Sequence, residues 1–416
     1  MRLYREKFYG GIKMKKIIAL LLAVVMVLGL VACAAKTEEP APEEPAEETP
    51  AEEETPAEEP EEEPAEEETP AEEETPAEEP AETPADGAMK VAFITDVGNI
   101  DDHSFNQYSY EGVTKYCEAN GLEYSYYKPA EDTDQAREDA ISQAINDGYG
   151  VVVMAGYLFG PAVEASAEAH PETLFLALDV TTGDLGVDTA PANVALICYQ
   201  EEQAGYLAGY AAVKDGYKEL GFLGGIDVPA VVRYGYGFVQ GADAAAAEMG
   251  INDVNIKYWY SGSFTPNDEI AAKMDSWYVE GTEVVFACGG GIYLSCLSAA
   301  DANSGKMIGV DVDQSNEADC IITSAMKALS NSVQLALGEA SANGWTWPEA
   351  YAGACQYLGA ADNCVGLPME NSKFETFTTD EYSTLFDSIA SGSLVVDNNS
   401  DPATHPETTN VTVDWQ

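Results

Sequence analysis

The chain has 416 residues, 46% of them hydrophobic, with 73 Asp and Glu against 19 Lys and Arg and a net charge of −54. That length accommodates two domains and a sizeable core. From residue 89 onward 12 basic residues face 48 acidic ones, so the charge disfavours nucleic acid, polyanions and anionic lipid surfaces as partners.

The first segment reads as a targeting signal. Met14-Lys15-Lys16 precedes "IIALLLAVVMVLGLVAC", a charged stretch followed by an apolar one. Met14 is read as the start, with residues 1–13 an overrun. A membrane span is the competing reading, because about 16 apolar residues approach the lower limit for crossing. The end of the stretch favours the signal. Leu30-Val31-Ala32-Cys33 resembles the lipobox of bacterial lipoproteins, which implies cleavage before Cys33 and lipidation of its thiol. Residues 1–32 are therefore expected to be a signal peptide.

Residues 33–88 are low-complexity, with "AEEETPAEEP" at 51–60 and again at 71–80. Such a composition packs no core. Self-repulsion and proline are expected to keep it extended, at ~3.1 Å per residue in its polyproline stretches and on the order of 100–150 Å in reach. It reads as a spacer or as a solvated tail.

From Met89 short apolar runs alternate with amphipathic stretches. "KVAFITD" reads as a strand, followed by a helix from about Ser104 whose Phe105, Tyr108, Gly112, Val113 and Tyr116 recur at helical spacing. "LEYSYY", a helix around "QAREDAISQAIND", "GVVVMAG", a helix around "PAVEASAEAH" and "LFLALD" come next. Parallel strands need crossover helices, so this series predicts a doubly wound α/β sheet. The pattern then repeats. "QEEQAGYLAGYAAVKDG" reads as a helix, "ELGFLGGI" as a strand and "VRYGYGFVQGADAAAAEMG" as a helix. "VNIKYWY", a helix near 266–280, "EVVFACGG", a helix near 292–303 and "KMIGVD" complete it. Two lobes follow: residues 89–199 with a return segment at about 316–343, and residues 200–315 with a C-terminal part at about 344–397. Residues 398–416 are expected to be a frayed tail.

Ligands of open α/β sheets collect at the carboxyl ends of strands. Those ends carry Asp96 with "ITDVGNIDDHSFNQ", Gly156 to Phe159, Asp179, Gly224 to Asp227, Ser261 to Phe264, Gly289 to Gly291 and Asp311 to Gln314. Aromatic faces, carboxylates and glycines together suit a neutral, hydroxyl-bearing ring. The rival chemistries have weaker signals. The chain has three histidines, none with a companion at metal-ligand spacing, and Asp101-x-His103 lacks the spacing of a calcium loop. There is no nucleophile elbow and no phosphate-binding loop. Asp101 or Asp102, and Ser104, read equally as helix caps, and Phe105 equally as core. Asp311 and Asp313 alternate, so one of them lines the cleft. Lys327 reads either as a solvated charge or as the partner of a cleft carboxylate. Seven cysteines remain besides Cys33. None form a CxxC pair, most read as core thiols, and a Cys355–Cys364 bridge is left open.

"ITDVGNIDDHSFNQYSYEG" resembles the N-terminal signature of the basic membrane lipoprotein family, the purine nucleoside receptor-like substrate-binding proteins of ABC importers. "EEQAGYLAGYAA", "GFLGGIDVPAVVRYGYGFVQG", "YSGSF", "FACGGG", "GVDVDQ" and "TSAMK" extend the resemblance in order over most of residues 89–335. The resemblance implies a two-lobed type I periplasmic-binding fold with a nucleoside between the lobes. It implies Phe105 and Phe264 against the base, and Asp96 and Asp179 recognising it beside Ser104 and Asn106. It implies Asp311 and Lys327 at the ribose and Gly290 at the cleft. It also implies an ABC permease as partner, a lipid anchor as the sole membrane contact, a monomer, no enzymatic activity and no metal or cofactor. Asn99 and His103 depart from the family pattern, and the region from Trp345 matches poorly. Other small ligands, a nucleoside-processing enzyme and an adhesin are the rival readings.

Overall fold

The structure is a computed structural model that describes residues 89–416. The signal, Cys33 and the linker lie outside the described residues. In chain order the first lobe contributes β1 (Val91–Ile94), α1 (Phe105–Asn120), β2 (Tyr124–Tyr127), α2 (Asp134–Asn146), β3 (Val151–Ala155), α3 (Gly160–Ala169), β4 (Leu174–Leu178) and β5 (Val194–Tyr199). There follow α4 (Glu201–Lys214), β6 (Glu219–Gly224), α5 (Pro229–Met249), β7 (Val254–Tyr260), α6 (Asp268–Val279), β8 (Val284–Cys288), α7 (Tyr293–Asn303) and β9 (Lys306–Asp311). The chain ends with β10 (Ile321–Lys327), α8 (Leu329–Ala342), β11 (Cys355–Leu358), β12 (Val365–Gly366), α9 (Thr379–Ala390) and β13 (Val411–Trp415).

Two sheets result. One has the order β11-β5-β4-β3-β1-β2, the other β12-β10-β9-β8-β6-β7-β13. Every pairing is parallel except β10 with β12. Central strands such as β3 and β8 are buried along their whole length, as expected where helices cover both faces of a sheet. That is why the sequence shows continuous apolar runs there instead of alternation. Among the described residues no helix is long and apolar enough to cross a membrane.

The chain passes between the sheets three times: after β5, between β10 and β11, and between β11 and β12. This corrects the expected boundaries. The return segment divides, because β10 stays in the second sheet while α8 packs on α1 of the first lobe. β11 then joins the first sheet at β5, so 344–397 is not wholly in the second lobe. The tail is not frayed: β13 pairs with β7 from Val411↔Val254 to Trp415↔Tyr258.

Between α4 and α5 the backbones nearly touch. A Cβ on Gly205 or Gly209 would lie 2.0 Å from the carbonyl oxygen of Tyr234 or Phe238. On α5, Gly237 and Gly241 stand equally close to Glu202 and Tyr206. Only hydrogen fits there. This contact brings the first turn of α4 beside the first turn of α5, at the base of the interlobe cleft.

Candidate functional site

The first lobe's contribution starts where β1 ends. Asp96 is buried, and its backbone N–H donates to Asn106 Oδ1 at 3.1 Å. In return Asp96 Oδ1 accepts from Asn106 Nδ2 at 2.9 Å and from the Gly98 N–H at 2.6 Å. Burial pushes the Asp96 carboxyl up to about 6, against the pull of these donors. Asp102 starts α1. Its carboxylate accepts the N–H groups of Ser104, Asn106 and Gln107 at 2.9, 3.0 and 3.0 Å, the capping role open in the sequence. Asn106 Nδ2 also donates to Asp102 at 2.9 Å, so this amide locks both carboxylates.

The deeper end is charged. Asp179 follows β4 and Asp311 ends β9, with φ values of 57° and 67°. A left-handed backbone at a residue with a side chain costs about 1–3 kcal/mol, and here it turns an acid off a strand end in each lobe. Lys327, the last residue of β10, is buried between them. Its Nζ lies 2.6 Å from Asp179, 3.4 Å from Glu201 and 3.8 Å from Asp311, and 4.6 Å from the centre of the Phe105 ring. Burial works to lower the Lys327 pKa, but the three carboxylates outweigh it and hold the ammonium charged. For Asp179 burial wins over the lysine, and its carboxyl is pushed up to about 6. Burial likewise raises Asp311, against the pull of Lys327 and Ser104. Arg233 Nε donates to Glu201 at 2.6 Å.

A cavity of about 400 Å³ lies between the lobes. Of the residues singled out from the sequence, Asp96, Phe105, Asn106, Asp179, Phe264, Gly290, Asp311 and Lys327 line it. Ser104 is fully buried and is not among the lining residues; its hydroxyl donates to Asp311 Oδ2 at 2.5 Å, joining the lobes from behind the pocket wall. Gly290 has a φ of 56°. A Cβ on Gly291 would come within 3.3 Å of the Phe264 carbonyl and of Pro266, so the glycine run is both a turn and the seat of the Phe264 loop. Asp313 faces away, accepting from Asn371 at 2.7 Å. His103 stays outside the cavity and pairs with Glu317 at 3.1 Å. Among the described residues no three His, Cys, Asp or Glu gather to hold a metal.

Sequence reading by strand ends overlooked Glu201, the first residue of α4, and Arg233 and Tyr234, in the second turn of α5. The signal for Glu201 and Arg233 was charge on apolar, glycine-rich stretches, and Tyr234 had none. Tyr234 lines the cavity with a buried hydroxyl that has no partner, and Asp179 Oδ1 is likewise unpaired. They are two of eight buried side-chain polar atoms without a partner among the described residues.

The family model described as "Bmp: ABC transporter substrate-binding protein PnrA-like" matches residues 89–400. The chain belongs to this family. Its members bind a substrate and do not transform it. The chain is 30% identical over 242 residues to the ABC transporter nucleoside-binding protein BmpA of Lactococcus lactis subsp. cremoris, covering 54% of this chain and 64% of that one. It therefore spans just under two thirds of that relative's length. It is 28% identical over 305 residues to Basic membrane protein B of Borreliella burgdorferi, covering 68% of this chain and 82% of that one. A solute-binding protein of an ABC transporter system from Aeropyrum pernix superposes with a TM-score of 0.66 at 20% identity, covering 76% of this chain and 95% of that one. A second, from Conexibacter woesei, gives 0.59 at 23%, covering 75% and 99%. These two likenesses show the type I periplasmic-binding fold.

Proposed function

We propose that the Bmp-family chain captures a nucleoside in the interlobe cavity and passes it to the permease of an ABC importer, held at the extracytoplasmic face of the cell membrane by lipid on Cys33. The observation that carries the ligand reading is the interlobe cavity itself, lined by Phe105 from one lobe and Phe264 from the other, with Asp96, Asp179 and Asp311 in its wall. A flat base suits the phenyl faces, and stacking tolerates several bases. Vicinal hydroxyls suit a carboxylate, which accepts more than one hydrogen bond.

Charge narrows the class further. Asp179, Glu201 and Asp311 face Lys327 and Arg233, and Asp96 lies above them. With all of them ionised the cavity is net negative, so a phosphorylated ligand is repelled. A nucleoside fits this pattern better than a nucleotide. Closure of the lobes about the three crossings would trap the ligand and present it to the permease.

The test is calorimetry of the full chain with nucleosides, the matching monophosphates and sugars, alongside native mass spectrometry of the chain as purified. The reading requires nucleoside binding with the monophosphate weaker by about two orders of magnitude, equivalent to about 2.7 kcal/mol. Absence of nucleoside binding, or a sugar bound in its place, overturns it. Release of free base on incubation would make the chain an enzyme.

A further inference from the structure

Besides the cleft, the first lobe holds a pair of thiols that the binding reading does not use. β11 pairs with β5 so that Tyr357 lies opposite Cys198 and Cys355 opposite Leu196. Side chains two residues apart share a face of a strand, which puts Cys355 diagonally beside Cys198. The two sulfur atoms converge on one carbonyl, that of Val180, at 3.3 Å from Cys198 and 3.8 Å from Cys355. Cys364, the partner weighed from the sequence, instead bonds its own turn at Asp362.

The pair is asymmetric. Cys198 is 1% exposed, whereas Cys355 is half-buried at the start of an edge strand. The same asymmetry appears in acidity. The Cys198 thiol beside it, ahead of burial, sets the direction for Cys355, whose pKa is lowered with help from Tyr357 and Arg233. Burial holds Cys364 above the usual thiol range. An accessible thiol of lowered pKa next to a buried second thiol is the arrangement of a nucleophile with its resolving partner.

We propose that Cys198 and Cys355 form a thiol–disulfide site, with Cys355 the attacking and Cys198 the resolving sulfur. The co-reactant is a small external disulfide. The Cys355 thiolate attacks one of its sulfurs, forming a mixed disulfide and expelling one thiolate. The Cys198 thiol gives up its proton and attacks Cys355 sulfur, expelling the second. The external disulfide is thereby reduced by two electrons and the cysteine pair oxidised by two, with two protons released to the departing thiols. The bond would join the strand that leaves the first lobe, β5, to the strand that returns to it, β11. The proposal stands independently of the ligand.

The probe is oxidised glutathione added to the reduced full chain, followed by non-reducing peptide mapping. The expected product is a Cys198–Cys355 link that persists in C364S. In C198S glutathione should remain on Cys355, while C355S should leave Cys198 unmodified. In the reduced wild type, Cys355 should alkylate about tenfold faster than the other cysteines of residues 89–416, as its acidity and access require. A Cys355–Cys364 link, no link at all, or faster alkylation at Cys364 overturns the proposal. Mapping of the wild type decides the linkage even if a serine variant fails to fold.

Discussion

The two ends of the cavity are built on opposite plans. Around Asp96 and Asp102 every hydrogen bond comes from the first lobe, and one amide, Asn106, ties the two carboxylates together. Around Lys327 the groups come from both lobes, carry charge, and leave two polar atoms unpaired. The first end keeps its shape whether the lobes are together or apart. The second exists as a site only when they meet.

Breaking the charged end should have the largest effect. Lys327→Met leaves Asp179, Glu201 and Asp311 without their shared cation, and losing one partner of a buried ion pair costs about 3–5 kcal/mol. Denaturant unfolding should show that loss, and calorimetry no measurable nucleoside binding. Phe105→Ala removes a stacking face worth roughly 1–3 kcal/mol, and affinity should fall by at least an order of magnitude while the charged cluster keeps the lobes assembled. A similar affinity for wild type and this variant would place the base elsewhere.

Acidification probes both ends together. Asp96 and Asp179 have carboxyls raised to about 6, and the proposed ligand needs them ionised. Between pH 7 and pH 5 affinity should fall about tenfold for each carboxylate the ligand engages. Stability of the ligand-free protein should move the other way. A group whose folded pKa is raised contributes stability below its unfolded value and loses it as pH rises through about 6. Titration calorimetry and thermal melts across this window would expose any failure of the two trends to oppose.

Tyr234→Phe is finer still. It deletes a hydroxyl with no protein partner, so stability should hold or rise. Affinity should drop by about 0.5–1.5 kcal/mol, the net worth of one hydrogen bond. His103→Ala should do least. The His103–Glu317 pair is exposed, and such pairs contribute about 0–1 kcal/mol. A larger loss would move the interlobe contact at His103 from the periphery to the centre of closure.

Much of this was legible because parallel strands and their crossovers leave a strong pattern. Apolar runs located β1, β3, β4, β6, β8 and β9, and the strand-end rule reached Asp96, Asp179 and Asp311. Sheet membership was not legible, since nothing in the sequence of β10 or β11 marks the sheet it joins and only tertiary pairing sends one to each lobe. β13 was overlooked because "VTVDW" alternates over five residues after a polar, proline-containing stretch. Helix-borne residues such as Glu201 and Tyr234 were missed for a geometric reason: only the close approach of α4 to α5 sets Glu201 beside Lys327 and Tyr234 in the cavity wall.

That close approach also fixes what travels with what. With no room for a side chain at Gly205 or Gly209, α4 and α5 cannot slip past one another, and α4 rides with the second lobe although it follows directly from β5. Separation of the lobes would take Asp179 from Lys327 and leave Glu201 and Asp311 beside it. The lysine would then keep two counter-charges, and only one of its three ionic partners would change as the lobes part.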